Sequence, residues 1–454
     1  MSLTDYFEDF CEEELPITQD EFQKWNNRLK EITKKLNLKY YPDDNFNDVE
    51  KDHLYVVGSV GRKTAIKNTS DFDILFHLPQ EVYNRYNNYS GNGQSALLQE
   101  VKNIVKERYS TTDIRGDGQV IVIEFKSNPA GVIELVPAFG QSDGSFKYPD
   151  SHNGGNWKTT NPTPEINECN NLSNKTNGHF INLCRLLRKW KNTEGFAFKG
   201  LLIDTLVSNY FESRGSYSMS YRDYERDVVD LFGYLAEQDK NRKYWHALGS
   251  NQQISNDDNG KFITKAKNAY KSLIETEDIV EEFKKLFGLS FAKTASSISN
   301  RAAPGEQFIE DMFPINIRFN LELDCKITRD GWRPQLLRDF LKNKVKIKDN
   351  KSLDFYIDKS EIPTYLEPNV EYYWKVRNVG YEAVRRNCER GKIYKGANRK
   401  HETADFRGSH FVECYAVHFG VVIAKAKIDV PIDPVVRAKT WYFNYSHRHS
   451  LRVT

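Results

Sequence analysis

Leu54-Tyr55-Val56-Val57-Gly58-Ser59, followed further along by Asp71-Phe72-Asp73, is the stretch whose reading decides the fold. The apolar run before Gly58 predicts a short buried strand, and Gly58-Ser59 predicts a tight turn into a helix whose free N–H groups face an anion. Residues two apart in a strand project to the same face, so Asp71 and Asp73 can share metal ions. A phosphate-gripping turn ahead of paired carboxylates predicts a triphosphate site.

Such a site needs a third acid, and Glu134 in Gly131-Val132-Ile133-Glu134-Leu135-Val136-Pro137-Ala138-Phe139 is the candidate. Val120–Ile123 and Val132–Val136 read as neighbouring strands joined by the turn Ser127-Asn128-Pro129-Ala130-Gly131, which brings Glu134 beside the aspartates. Gly-Ser pairs and Asp-x-Asp triplets are each common in solvated turns. Three acids converging on a sheet are different, because they repel one another and lose hydration unless cations neutralise them.

Around this centre the periodicity predicts helices. Thr18-Gln19-Asp20-Glu21 reads as a capping box, and Phe22, Trp25, Leu29, Ile32 and Leu36 follow at steps of three and four, giving an amphipathic helix that backs the sheet. Further helices are expected over Ala96–Arg108, Gly178–Lys191, Lys199–Phe211 and Phe262–Phe287, the last as one or two segments ending at Gly288. Arg185, Arg188 and Lys189 are grouped at helical spacing. Such cationic faces are commonly only solvated, but behind a metal motif Arg188 and Lys189 become candidates for phosphate contact. Thr294–Asn300, with Pro304-Gly305 behind it, reads as a linker. After Pro314 the period changes to two, in Ile315, Ile317, Phe319, Leu321 and Leu323 and again in Tyr372, Trp374 and Val376, so a β-rich module follows, interrupted by a helix over 332–341. Arg385-Arg386 and Arg399-Lys400-His401 fall in expected loops.

Composition narrows the class. At 454 residues the chain should form two or three domains, and 39% hydrophobic with 28% charged residues fits a soluble globular protein. A net charge of +2 argues against wrapping long nucleic acid and for a local pocket. No apolar run reaches membrane-spanning length, and Met1-Ser2-Leu3-Thr4-Asp5 does not read as a leader, so no membrane insertion and a cytoplasmic location are expected. Cys11, Cys169, Cys184, Cys325, Cys388 and Cys414 are scattered, which indicates neither a zinc site nor a disulfide framework.

Gly58-Ser59, Thr64, Ser70-Asp71-Phe72-Asp73, Glu134–Phe139 and the helix Leu186-Leu187-Arg188-Lys189-Trp190-Lys191 resemble the nucleotidyltransferases of the cyclic GMP-AMP synthase and oligoadenylate synthase superfamily, in particular the bacterial CD-NTases (SMODS) of anti-phage signalling. The resemblance covers roughly the first three hundred residues. It implies an α+β fold: a polymerase-β-like core of mixed sheet plus helical half, divided into a catalytic domain (1–175) and a helical nucleotide-cleft domain (176–300), then a β-rich domain (312–454). That last part is similar to the AGS-C sensor domain in Leu366–Asn369, Tyr373–Gly380, Phe411–Tyr415 and Ile428–Ile432. The resemblance implies catalysis and metal binding by Asp71, Asp73 and Glu134 with two Mg2+ or Mn2+ ions, and nucleotide contacts at Gly58, Ser59, Ser70, Arg188 and Lys189. Implied substrates are ATP, GTP or deoxynucleoside triphosphates, and the implied product is a cyclic or linear oligonucleotide read by an effector protein. Three positions depart from the pattern: Glu134 stands where an aspartate is usual, Arg188 where a lysine is frequent, and Gly200 where a serine is expected. Open alternatives are a nucleotide-binding sensor or regulator with weak or lost catalysis, transfer onto an RNA, protein or small-molecule acceptor, and priming by Tyr442 or Tyr445 in the aromatic tail.

Overall fold

The computed structural model describes residues 1–292 and 306–432, apart from 330, 332, 349, 350, 380, 405 and 407. Its N-terminal sheet runs in the order β1 (Leu54–Val56), β2 (Asp71–His77), β5 (Gly131–Gly140), β4 (Val120–Phe125) and β3 (Asp113–Asp117), and β6 (Phe146–Asp150) and β7 (Asn156–Thr160) continue from the far end of β5. β2 and β5 are parallel and the other neighbours antiparallel, so the sheet is mixed. Strand alternation does the sorting. Phe72, Ile74 and Phe76 on β2, with Ile133 and Leu135 on β5, point into one core, while Asp71, Asp73 and Glu134 share the opposite face.

That core is closed by helices. After α1 (Leu3–Asp9) and a π-helical turn over Phe10–Glu14, α2 (Gln19–Tyr40) lays Trp25, Leu29, Ile32 and Leu36 on the sheet. α3 (Gly58–Gly61) is a single turn, α4 (Gln80–Asn87) is short, and α5 (Gly93–Arg108) adds Leu97, Leu98, Val101, Ile104 and Val105. Trp25 is fully buried and stacks on Phe72 with ring centroids 4.6 Å apart. Thr18 caps α2 by accepting from Glu21 N, but the expected reciprocal bond is replaced, since the Glu21 carboxylate accepts from Asn68 N and ties α2 to the loop ahead of β2.

A second core lies in the helical half, among α6 (Pro162–Lys175), α7 (His179–Glu194), α8 (Gly200–Arg214), α9 (Tyr224–Ala236), α10 (Lys261–Glu275) and α11 (Ile279–Phe287). Phe7, Phe10, Cys11 and Leu15 also belong to it, so the chain's first residues pack on the helical half and not on the sheet. The small pair β8 (Tyr244–His246) and β9 (Gln253–Ser255) sits between α9 and α10.

The β-rich module is built from two four-stranded antiparallel sheets that share one core. One runs β11 (Gln335–Leu336), β10 (Leu321–Thr328), β12 (Ser352–Ser360), β15 (Arg399–Thr403); the other runs β14 (Arg390–Gly396), β13 (Val370–Asn378), β16 (Ser409–His418), β17 (Val421–Pro431).

Several expectations are corrected. β1 is an edge strand and only half-buried, with Tyr55 43% exposed. Ile315–Phe319 keeps its alternation but is not part of a strand, because β10 begins at Leu321. The interrupting helix is reduced to Leu337–Lys342, since Gln335–Leu336 pairs with β10. Arg399, Lys400 and His401 lie on β15, where pairing with Tyr356, Phe355 and Asp354 holds them extended. The expected linker 294–300 lies outside the described residues. All six thiols are free, and among the described residues no helix is long and apolar enough to cross a membrane.

Because Trp25 is the largest side chain holding β2 from behind, Trp25→Ala should destabilise the protein by about 3–5 kcal/mol. Urea unfolding checks this, as a fall in midpoint at unchanged slope.

Candidate functional site

The parallel register of β2 and β5 builds the site. Asp73 stands directly opposite Glu134, and Asp71 opposite Val132, so three carboxylates converge at the cavity face of two adjoining strands. One oxygen from each of Asp71, Asp73 and Glu134 lies within 4.8 Å of the other two. The extra methylene of Glu134 is accommodated without displacing it from the group. Asp71 Oδ1 is buried and has no hydrogen-bond partner among the described residues. An orphaned oxygen among acids is the donor set that a hard divalent cation takes, so the residues fit a metal site.

Gly58 closes one side. Its φ is +61°, and a Cβ placed there would stand 1.7 Å from Asp73 Oδ2, so only glycine lets the turn approach the carboxylate. Ser59 follows, lining a cavity of about 600 Å³ together with Asp71, Asp73, Arg188, Lys191 and Arg318. α3 is too short to contribute much dipole, so the expected anion-facing helix is here a one-turn nest of backbone N–H groups.

The remaining sequence candidates are placed unequally. Ser70 is buried, its Oγ has no hydrogen-bond partner among the described residues, and it lines a small crevice with Gly131 and Arg318. Arg188 lines the cavity, but its guanidinium is engaged: Nη1 and Nη2 donate to Asp204 at 2.6 and 2.9 Å, and Nη2 also donates to Gly200 O. A Cβ at Gly200 would lie 3.2 Å from that same Nη2, so the longer Arg188 and the missing side chain at 200 are one packing trade. Lys189 points away from this cavity into a separate cleft with Glu306 and Gly288. Tyr442 and Tyr445 lie outside the described residues.

The cavity has charged groups that the sequence did not announce. Arg62 donates to Asp204 at 2.8 Å and lies 3.6 Å from Glu165, and Thr64 Oγ1 donates to Asp204 as well. Burial opposes ionisation of Asp204, yet Arg188 and Arg62 together hold its carboxyl below the usual value. Lys191, one turn beyond Arg188, donates to Ile317 O at 2.8 Å. Arg318, from the segment ahead of β10, places Nη1 3.8 Å from Glu134 Oε1. Helical spacing from Arg188 could have marked Lys191; nothing local marks Arg318, which is remote in sequence.

The comparisons with known proteins follow this geometry. Residues 1–173 match the family model of the Second Messenger Oligonucleotide or Dinucleotide Synthetase domain, and residues 304–433 match the Adenylyl/Guanylyl and SMODS C-terminal sensor domain. The chain thus carries a SMODS domain followed by a C-terminal sensor domain of the AGS-C kind. It is 22% identical over 295 residues to a probable cyclic nucleotide synthase of Bacillus cereus (strain VD146), spanning 56% of this chain and 88% of that protein. It is 23% identical over 188 residues to a cyclic AMP-AMP-AMP synthase of Acinetobacter sp., spanning 41% and 50%. Similar solved structures include the dinucleotide cyclase DncV of Vibrio cholerae (9% identity, 64% of this chain and 97% of that one, TM-score 0.49) and CdnC of E. coli MS115-1 in a complex with a HORMA protein (14%, 64% and 98%, 0.47).

The acids of this SMODS domain are strained as bare carboxylates. Burial and then Asp71 push the Asp73 carboxyl up to about 7, while Asp71 and then burial push Glu134 up to about 8. Both lie above the unfolded value of about 4. Raised folded values mean that, without cations, stability from these groups is lost as pH climbs from about 4 through 8. Divalent cations reverse that penalty. Mg2+ should therefore raise the melting temperature more at pH 8 than at pH 6, and an Asp71→Asn, Asp73→Asn variant should lose the difference; scanning calorimetry with and without Mg2+ at each pH tests this. Gly58→Ala should abolish Mg2+ stabilisation while lowering stability by more than about 1–2 kcal/mol, the cost of a left-handed alanine alone, because its Cβ also meets the Asp73 carboxylate; Mg2+ titration and urea unfolding of the same sample read both.

Proposed function

We propose that the chain is a divalent-metal-dependent nucleotidyltransferase of the cytoplasm that joins ribo- or deoxynucleoside triphosphates into a cyclic or linear oligonucleotide, a messenger that a separate effector protein reads in anti-phage defence. One observation carries this reading: three carboxylates on adjacent strands meet, and two of them, Asp71 and Asp73, line a cavity large enough for nucleotides. Membership in the cyclic nucleotide synthase family supports the oligonucleotide product.

In this reading residues 1–175 supply the chemistry, residues 176–300 close the nucleotide cleft, and residues 312–454 form the sensor. Ser59 and the N–H groups of the Gly58 turn hold the β- and γ-phosphates of the donor. Asp71, Asp73 and Glu134 hold two Mg2+ or Mn2+ ions. Bound there, the ions neutralise the donor phosphates and lower the pKa of an acceptor hydroxyl. Glu134 completes the ligand set or takes the proton released by that hydroxyl. The acceptor oxygen forms a bond to the α-phosphorus in line as the bond to the β-phosphate oxygen breaks, and pyrophosphate leaves. The buried cluster of Arg62, Arg188 and Asp204 keeps the floor of the cavity fixed while this happens.

The test is incubation of the protein with each labelled ribo- and deoxynucleoside triphosphate and Mg2+ or Mn2+, with products separated by thin-layer chromatography and identified by mass spectrometry. Wild type should release pyrophosphate and form oligonucleotide, and the Asp71→Asn, Asp73→Asn double variant should be slower by more than about a hundredfold. Equal rates for the two proteins would remove the proposed centre.

A further inference from the structure

Ile315–Phe319 is a strap between the sensor domain and the catalytic core. On its sensor side Asn316 N donates to Val422 O at 3.0 Å and Arg318 N to Ile423 O at 2.9 Å, both acceptors on β17. On its core side Lys191 Nζ donates to Ile317 O, Asn192 Nδ2 donates to Ile315 O at 3.0 Å, and Ile317 N donates to Asn192 Oδ1 at 3.2 Å. Ile317 is fully buried and packs with Ile393, Tyr415, Val417 and Val422 of the sensor. The tip of the β16–β17 hairpin makes a second contact: the Phe419 ring lies 5.0 Å from the Lys126 ammonium, at the end of β4, and β4 pairs with the strand that carries Glu134. Both contacts hold the sensor against the core, and Arg318 projects from the strap into the nucleotide cavity.

Among the arginines of that cavity Arg318 is distinct. Arg62 and Arg188 spend their charge on Asp204 and Glu165. Among the described residues Arg318 has one ion pair, the loose 3.8 Å pairing with Glu134; its guanidinium lies 5.7 Å from the Phe319 ring, and its buried Nε has no hydrogen-bond partner there. Once cations occupy the three carboxylates, a guanidinium held this close meets like charge, and the arrangement is stable only if an anion enters between them. A phosphoryl group shared with the cations is such an anion, and the planar fork of a guanidinium is suited to take two of its oxygens.

We propose that Arg318 is a catalytic residue supplied by the sensor domain, contacting phosphate oxygens of the bound nucleoside triphosphate, so that the seating of the sensor on the core sets the rate. The proposal rests on the nucleotidyltransferase reading above. It extends that reading by making the site incomplete without the C-terminal domain.

The experiment compares full-length wild type with Arg318→Ala and Arg318→Lys in steady-state kinetics, and by calorimetric titration with inorganic tripolyphosphate plus Mg2+ and with Mg2+ alone. Arg318→Ala should lower kcat/KM about 100- to 1,000-fold. It should also weaken tripolyphosphate binding at least about tenfold, while Mg2+ alone binds no more weakly than to wild type. Arg318→Lys, which keeps the charge but loses the fork, should recover part of the binding. Wild-type kinetics and binding in Arg318→Ala would overturn the proposal, as would a faster reaction, which would make the guanidinium a plug and not a ligand. If wild type binds tripolyphosphate through Arg318 but forms no product, the reaction reading fails and the phosphate contact stands; if wild type turns over and Arg318→Ala matches it, the reverse holds.

Discussion

Three carboxylates gathered on the cavity face of one sheet constitute the constraint on which the rest of this structure depends. Burial raises the proton affinity of Asp71, burial and then Asp71 raise that of Asp73, and Asp71, then burial, then Asp73 raise that of Glu134, so the ionised trio is costly unless positive charge comes to it. The fold sustains the cost from behind. Phe72, Ile74 and Phe76 on the same strand are locked under α2 and α5, with Trp25 stacked on Phe72, and the strand cannot roll to relieve the acids without emptying that core.

A second buried charge cluster fixes the opposite wall. Asp204, fully buried on α8, accepts from Arg62 beside the Gly58 turn and from Arg188 on α7, which joins the sheet domain to the helical half through one carboxylate. Such a cluster is poor evidence of stability, because desolvation offsets much of the attraction, but it is highly directional. It also crowds residue 200, where a Cβ would stand 3.2 Å from Arg188 Nη2. Among the described residues the other cations lining the cavity are Lys191, Lys199 and Arg318; Lys199 pairs with Asp257, and Lys191, whose amine burial pushes down to about 7, is bonded to the strap that carries Arg318.

The C-terminal domain is therefore not a separate bead on the chain. Its β17 hydrogen-bonds the strap, the strap lines the cavity, and the hairpin tip reaches the β4–β5 turn. A ligand that shifted the two sensor sheets would be felt at the site through backbone hydrogen bonds and packed apolar side chains, without any long-range relay.

What the sequence determined by itself was everything governed by local periodicity and by short motifs: the sheet-backing helix from Trp25 to Leu36, the strands around Asp71-Phe72-Asp73 and Glu134, the glycine turn, and the change to a period of two beyond Pro314. Helical spacing and strand alternation are written into consecutive residues, so they survive without knowledge of the partners. Tertiary structure decided what depends on which distant groups meet. It committed Arg188 to Asp204, turned Lys189 to another cleft, brought Lys191 to the cavity, ended the Ile315–Phe319 alternation before a strand could form, and carried Arg318 across 184 positions to Glu134. Charge pairing in a protein interior is set by three-dimensional proximity and desolvation, and neither is visible in the order of residues along the chain.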